Sequence, residues 1–271
     1  MSEIISLLSY SFIQRALICG IAVSFSAALI GVILVLKNYS MIGHGLGEVG
    51  FAALALAAAL NLPVLSVSIP LVITASIIIM IISQKKGEHG EIMVALVASG
   101  ALAIGVIITA ITSGFGANTY NYMFGSILAM TQNDVILSIV LAIASTFIYA
   151  FFYHRLFLIT FDEKFARSSG ISVTLYQFLI SILTAFIIVI GMRMMGTLLI
   201  SSLIVFPCII AKKTTVSFKG LVIISGLISV ICFCIGMVVS FYLDLPTGPV
   251  IVAIYYLLLG ISTFTARIAK I

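Results

Sequence analysis

Apolar residues run almost unbroken through this chain, and the few polar interruptions divide it. Nine apolar runs of near-spanning length can be marked: Phe12–Leu36, Met41–Leu60, Val64–Ser83, Ile92–Thr112, Val135–Phe152, Val173–Ile190, Thr197–Ala211, Leu221–Phe241 and Pro249–Thr265. About 20 helical residues cover the ~30 Å hydrocarbon core of a bilayer, so runs of this kind predict membrane-spanning helices. Alternating ten-residue strands, the pattern of a membrane barrel, are not what the chain shows. The expected fold class is an all-α integral membrane protein, a polytopic helical bundle of about nine (eight to nine) transmembrane helices, forming a single transmembrane domain over residues 1–271. An eleven-residue stretch, Tyr120–Met130, is too short to cross and reads as a re-entrant or interfacial helix.

Composition narrows this further. The chain is 63% hydrophobic and 8% charged, with a mean hydropathy of +1.36. Soluble domains carry about 25% charged residues, and a water-facing surface cannot be built from what is here. The first apolar run lacks a signal-cleavage pattern after it and reads as a retained span. The four cysteines, Cys19, Cys208, Cys232 and Cys234, lie inside apolar runs without a CxxC pair and read as small packing residues.

The formal net charge of +5 does not point to nucleic acid, because the basic residues sit at span ends. With the QKKGEHGE loop inside, Lys37, Lys85, Lys86, Arg155, Lys164, Arg167, Lys212, Lys213, Lys219, Arg267 and Lys270 fall inside, and only Arg15 and Arg193 outside. That asymmetry predicts a cytoplasmic C-terminus and, with nine spans, an outside N-terminus. Asp134 is expected to cap the span beginning at Val135, and Asp244 to serve an outer turn.

Against this background one stretch stands apart, SMIGHGLGEVGF, Ser40–Phe51. Glu48 is the one acidic residue well inside a span, and His44 the one histidine there. Ionisable groups at bilayer depth cost roughly 2.5–3.5 kcal/mol on insertion scales, which makes a functional role the default. Four residues of helix rise about 6 Å and overshoot a full turn by about 40°, so His44 and Glu48 stack on one face. They can share a cation or a proton; the plainer alternative is a buried hydrogen bond that fixes packing. Gly43, Gly47 and Gly50 form an adjoining small-residue face that admits another helix closely. Met192, Met194 and Met195 offer soft sulfur but read as packing. No GxxxxGK[ST] phosphate loop occurs, so ATP chemistry of that kind must come from another chain. The inner segment Tyr153–Ser172 mixes apolar residues with charges and stops at Gly170, as expected of a short amphipathic helix. It lies on lipid headgroups or docks a cytoplasmic partner through Phe161, Asp162, Glu163, Phe165, Arg167 and Gly170.

The order of elements resembles the membrane permease of the zinc/manganese/iron ABC importer family. SMIGHGLGEVGFAALALA is similar to its second-span signature, YMFGSIL to its outer mid-chain segment, FDEKFARSSGI to its long cytoplasmic loop, GTLLISSLIVFPCIIA to its seventh span and SFYLDLPTGPVIV to its last outer turn. That family carries an aspartate, three residues, then a histidine where this chain has His44 and Glu48, so the two chemistries exchange order at preserved spacing. The resemblance implies that His44 and Glu48 ligate a transported divalent metal, Zn²⁺ first, then Mn²⁺ or Fe²⁺. It implies no resident cofactor and no enzymatic activity of the chain itself. The implied partners are a second copy of the chain, cytoplasmic ATP-binding subunits and an extracellular metal-binding protein, in a bacterial cytoplasmic membrane and without nucleic acid. The alternatives left open are a proton-coupled transporter or channel using His44–Glu48 as a proton relay, and an intramembrane metalloenzyme, for which further ligands and a base are lacking.

Overall fold

The computed structural model describes residues 11–86, 90–112, 125 and 131–268. They form nine α-helices and, among the described residues, no strand: α1 (Ser11–Leu36), α2 (Ser40–Ala59), α3 (Val64–Lys86), α4 (Gly90–Thr112), α5 (Gln132–Phe161), α6 (Glu163–Ser168), α7 (Val173–Ala211), α8 (Phe218–Leu243) and α9 (Thr247–Ile268). All except the short α6 carry a window long and apolar enough to cross a membrane, eight in total among the described residues. Large apolar side chains point outward from them, Ile111 at 79% and Phe151 at 71% exposure. Water would not tolerate that surface, and hydrocarbon requires it.

α1 is the axis of the bundle, packed by α7, α5 and α8. Its small residues explain why. A Cβ on Gly20 would lie 1.8 Å from the Phe233 ring of α8, and one on Gly31 would lie 1.9 Å from the Ile204 carbonyl oxygen of α7. Hydroxyls join the same helices: Ser145 donates to Ser26 Oγ at 3.2 Å, and Ser229 donates to the Ser24 carbonyl at 2.8 Å. Short polar side chains beside close-packed glycines are how helices associate where water cannot drive them together.

α7 is the longest helix, yet it is not straight. Gly196 interrupts it with φ 79 and ψ 167, a conformation essentially restricted to glycine. In a continuous helix residues nine apart are separated by about 13.5 Å; a Cβ on Gly191 would instead meet Ile200 Cδ1 at 2.4 Å. Contacts along α1 agree: Gly191 meets Val23, whereas Ile204 has returned to the level of Gly31. The chain therefore reverses at Gly196, and residues 173–195 and 197–211 are two antiparallel legs. They correspond to the separate runs Val173–Ile190 and Thr197–Ala211, so among the described residues the nine apolar runs fall on eight long helices.

Two expectations change in detail. α5 does not stop near Phe152 but bends there (φ −104, ψ 17) and continues to Phe161. The polar Tyr153–His154–Arg155 reads as an end, but Leu156 and Ile159 beyond it are fully buried and keep the helix on the bundle. Asp134 is not the cap residue. Thr131 caps α5, and Asp134, three residues on, completes a capping box by accepting from the Thr131 backbone. Asp244 occupies the left-handed C-cap of α8 (φ 51). The proposed re-entrant stretch Tyr120–Met130 lies outside the described residues except Gly125, whose backbone sits against Met194–Gly196.

Basic residues gather at one end of the bundle. Lys37 pairs with Glu163, Arg155 donates to Tyr176 and Lys213 to Thr263. At the opposite end Arg193 pairs with Asp134 at 2.9 Å, beside the Gly196 reversal.

Candidate metal passage and docking segment

α1 hands over to α2 through a tight turn in which Asn38 adopts φ 59, a conformation its short side chain tolerates. α2 then starts at Ser40 at the basic end, which puts His44 about 6 Å and Glu48 about 12 Å along the helix axis. The glycine face of α2 lies on the hairpin of α7. A Cβ at Gly43 would meet Ile204 at 3.1 Å, one at Gly47 would meet Thr197 at 3.8 Å, and one at Gly50 would meet Met192 Sδ at 2.9 Å. On another flank Gly45 faces Val94 of α4. His44 and Glu48 occupy the sector between these two contact lines. His44 is exposed and Glu48 half-buried.

Among the described residues no hydrogen bond or ion pair joins His44 to Glu48, and no group of three or more His, Cys, Asp or Glu gathers around them. Among the described residues the pair is two potential donors and not a closed ligand cage. Thr197, the residue after the α7 reversal, stands directly against Gly47 between them. It carries no charge and no local motif in the sequence, so only the reversal at Gly196 hinted at its position. Met192, Met194 and Met195 are buried. The four cysteines are free thiols, three of them buried.

At the basic end, α6 is a single helical segment with well-defined ends. Asp162 caps its N-terminus by accepting from Phe165 N at 2.9 Å. At its C-terminus Gly170 takes φ 78, Gly170 N donates to the Arg167 carbonyl and Ile171 N donates to that of Ala166. This is the paired-bond glycine termination of a Schellman motif. Phe161 and Phe165 turn outward at 60% and 54% exposure. Asp162 and Arg167 are also exposed. Glu163 differs from its neighbours: it turns toward the bundle, accepting from Lys37 at 3.0 Å, Arg167 at 2.8 Å and Gln177 at 3.3 Å. Partial burial pushes its carboxyl up, but the hydrogen bonds and charges of Arg167 and Lys37 outweigh that and hold it below the ordinary carboxylate value. The stabilisation is therefore present above the ordinary carboxylate value and is lost as pH falls through the lowered one. Lys37 and Gln177 were not legible as partners, since they lie far away along the chain or in the next helix.

Residues 9–266 match the profile described as the ABC 3 transport family. Over 250 residues the chain is 27% identical to a "Probable metal transport system membrane protein" of Thermotoga maritima, covering 92% of this chain and 88% of that one. It is 26% identical over 257 residues to the "Manganese import system permease protein ScaB" of Streptococcus gordonii, covering 95% and 92%. Among solved structures it resembles "PsaBC from Streptococcus pneumoniae in complex with Fab", with a TM-score of 0.84, 25% identity, and coverage of 96% of this chain and 94% of that one.

Proposed function

Since the chain belongs to the ABC 3 transport family, we propose that it is the membrane permease subunit of an ATP-driven importer of a divalent transition metal, in a bacterial cytoplasmic membrane. The observation that carries the reading is the exposed His44 above the half-buried Glu48 on a spanning helix. A polar pair held at bilayer depth without a bonded partner among the described residues is costly unless it faces water or a second polar surface. A cation shedding its hydration shell needs such donors, because a bare ion in hydrocarbon is prohibitively costly.

Neutral His44 would supply an imidazole nitrogen and ionised Glu48 a carboxylate oxygen. A second copy related by a two-fold axis would double this to two nitrogens and two oxygens. Water would complete the shell and let the ion leave. Such a nitrogen-and-oxygen set suits Mn²⁺ and Fe²⁺ as well as Zn²⁺. The relatives named for manganese move that metal ahead of zinc, which the sequence alone ranked first. The chain has no phosphate loop, so ATP is hydrolysed by a separate subunit, and delivery from outside falls to a metal-binding protein.

The basic end of the bundle faces the cytoplasm on this reading. In a background lacking the four native cysteines, Val216→Cys and Leu245→Cys should label from opposite sides, both positions being exposed in loops at opposite ends. Labelling of Val216→Cys by an impermeant reagent in intact cells would overturn the orientation.

Phe161 at the end of α5 and Phe165 of α6 are the docking anchors for the ATP-binding subunit, with Asp162, Arg167 and Gly170 setting the segment's shape and orientation. Aromatic anchors dominate interfaces of this kind. Phe165→Asp is expected to abolish capture of the ATP-binding subunit by the tagged permease while membrane abundance is kept. Undiminished capture would remove α6 as the dock.

A further inference from the structure

The docking segment and the helix carrying His44 and Glu48 are far apart in function, but one side chain connects them. Glu163 is the first residue of α6, and two of its three bonds reach into the bundle. Its Oε2 accepts from Lys37 Nζ at 3.0 Å and from Gln177 Nε2 at 3.3 Å, and its Oε1 accepts from Arg167 at 2.8 Å. Lys37 is nearly out of solvent, its side chain at 9% exposure. A cation so placed needs its counter-charge, since removing one member of such a pair leaves a desolvated charge. Lys37 directly follows α1 and opens the turn into α2: Tyr39 N bonds back to the Leu34 carbonyl, and α2 starts one residue later. From Lys37 to His44 the path is one short hydrogen-bonded turn and one turn of helix. Gln177, 3% exposed, belongs to the leg of α7 that leads up to the Gly196 reversal against Gly47.

Behind the pair lies a small cavity of about 20 Å³ lined by Lys37, Tyr39, Gln177, Ser181 and Met80 among others. Gln177 Oε1 has no protein hydrogen-bond partner there. The network is thus bonded on the α6 side and borders, on the bundle side, a cavity with room for about one water.

We propose that Glu163 is a positioning residue for transport: through Lys37 it ties the docking helix α6 to the α1–α2 turn, and this pair carries movement of the ATP-binding subunit to His44 and Glu48. The proposal rests on the docking and metal-passage reading above and assigns Glu163 to the permease side of that interface. It also explains why one carboxylate in an exposed segment is held by three donors, two of them from the bundle.

The test uses the permease assembled with its ATP-binding subunit in proteoliposomes, with Mn²⁺ as the transported probe. Two quantities are read: retention of the ATP-binding subunit, and metal ions moved per ATP hydrolysed. Glu163→Gln keeps the side-chain shape and should retain the complex while metal moved per ATP falls roughly fivefold or more, the size expected when a coupling contact is cut. Lys37→Glu alone should do the same, and the double exchange Lys37→Glu/Glu163→Lys should restore at least half of the lost ratio. A purely structural role would lower abundance, not this ratio. An unchanged ratio in Glu163→Gln, or no recovery in the double exchange, overturns the proposal. Loss of the complex in Glu163→Gln also overturns it, because Glu163 would then be a docking contact. A Phe165→Asp permease that still holds its ATP-binding subunit removes the docking reading and the relay with it; Phe165 dependence with an unchanged Glu163→Gln ratio removes the relay alone.

Discussion

Replacing Glu48 by glutamine, which keeps the shape and removes the charge, is expected to abolish metal uptake while the permease still accumulates in the membrane. Replacing His44 by alanine should do the same. On the proposed reading these two side chains are the donors, and among the described residues no group of three or more candidate ligands stands by to compensate. Losing one ligand from so small a set should cost uptake more than the roughly tenfold to hundredfold typical of losing an outer-shell partner. Cellular manganese content and uptake of labelled Mn²⁺ read the effect, with membrane abundance as the control. Binding should also weaken as the pH falls, because coordination needs His44 neutral and Glu48 ionised. Normal transport by both variants would reduce the pair to a packing feature. Failure of both in a wild type that moves protons and not metal would instead make the pair a proton relay.

A second large effect is expected far from any donor. Gly31→Ala should prevent the permease from accumulating. The new methyl would fall 1.9 Å from the Ile204 carbonyl oxygen, and that neighbour is helix backbone, not a yielding side-chain tip. Forcing a methyl into a packed interior costs about 1–3 kcal/mol where neighbours can move; here α7 itself would have to retreat from α1. Gly260→Ala is the matched control, since nothing lies within 4 Å of the added methyl. Membrane abundance and thermal unfolding in detergent decide the matter. A Gly31→Ala protein with the yield and Tm of the parent would show that the α1–α7 approach is looser than these contacts require.

Helix positions were largely legible because hydropathy is a local property. The run Met41–Leu60 became α2 at Ser40–Ala59, and Leu221–Phe241 became α8 at Phe218–Leu243. The exception, α5, shows the limit: Tyr153–Arg155 looks like an end, and only burial of Leu156 and Ile159 against other helices keeps the helix going. The chemistry divides in the same way. His44 and Glu48 were legible because polar residues inside an apolar run are conspicuous, and their spacing sets their shared face. What stands around them was not, since Thr197 reaches Gly47 only through the reversal at Gly196. Glu163 likewise read as one more charge in an exposed segment. Its inward turn depends on Lys37, 126 residues earlier in the chain.

The reversal at Gly196 also bears on how the chain enters the membrane during synthesis. At 1.5 Å per residue the second leg, residues 197–211, extends about 22 Å, short of the ~30 Å hydrocarbon thickness that an independent stop sequence must cover. It is poorly suited to insert on its own and is best delivered together with residues 173–195 as one loop. Only the tip of that loop then crosses, leaving Lys212 and Lys213 on the side where synthesis continues. With the basic end in the cytoplasm, as proposed, the tip carries Arg193 across, a charge whose translocation opposes the usual bias. Asp134, made earlier and already at that surface, is there to receive it.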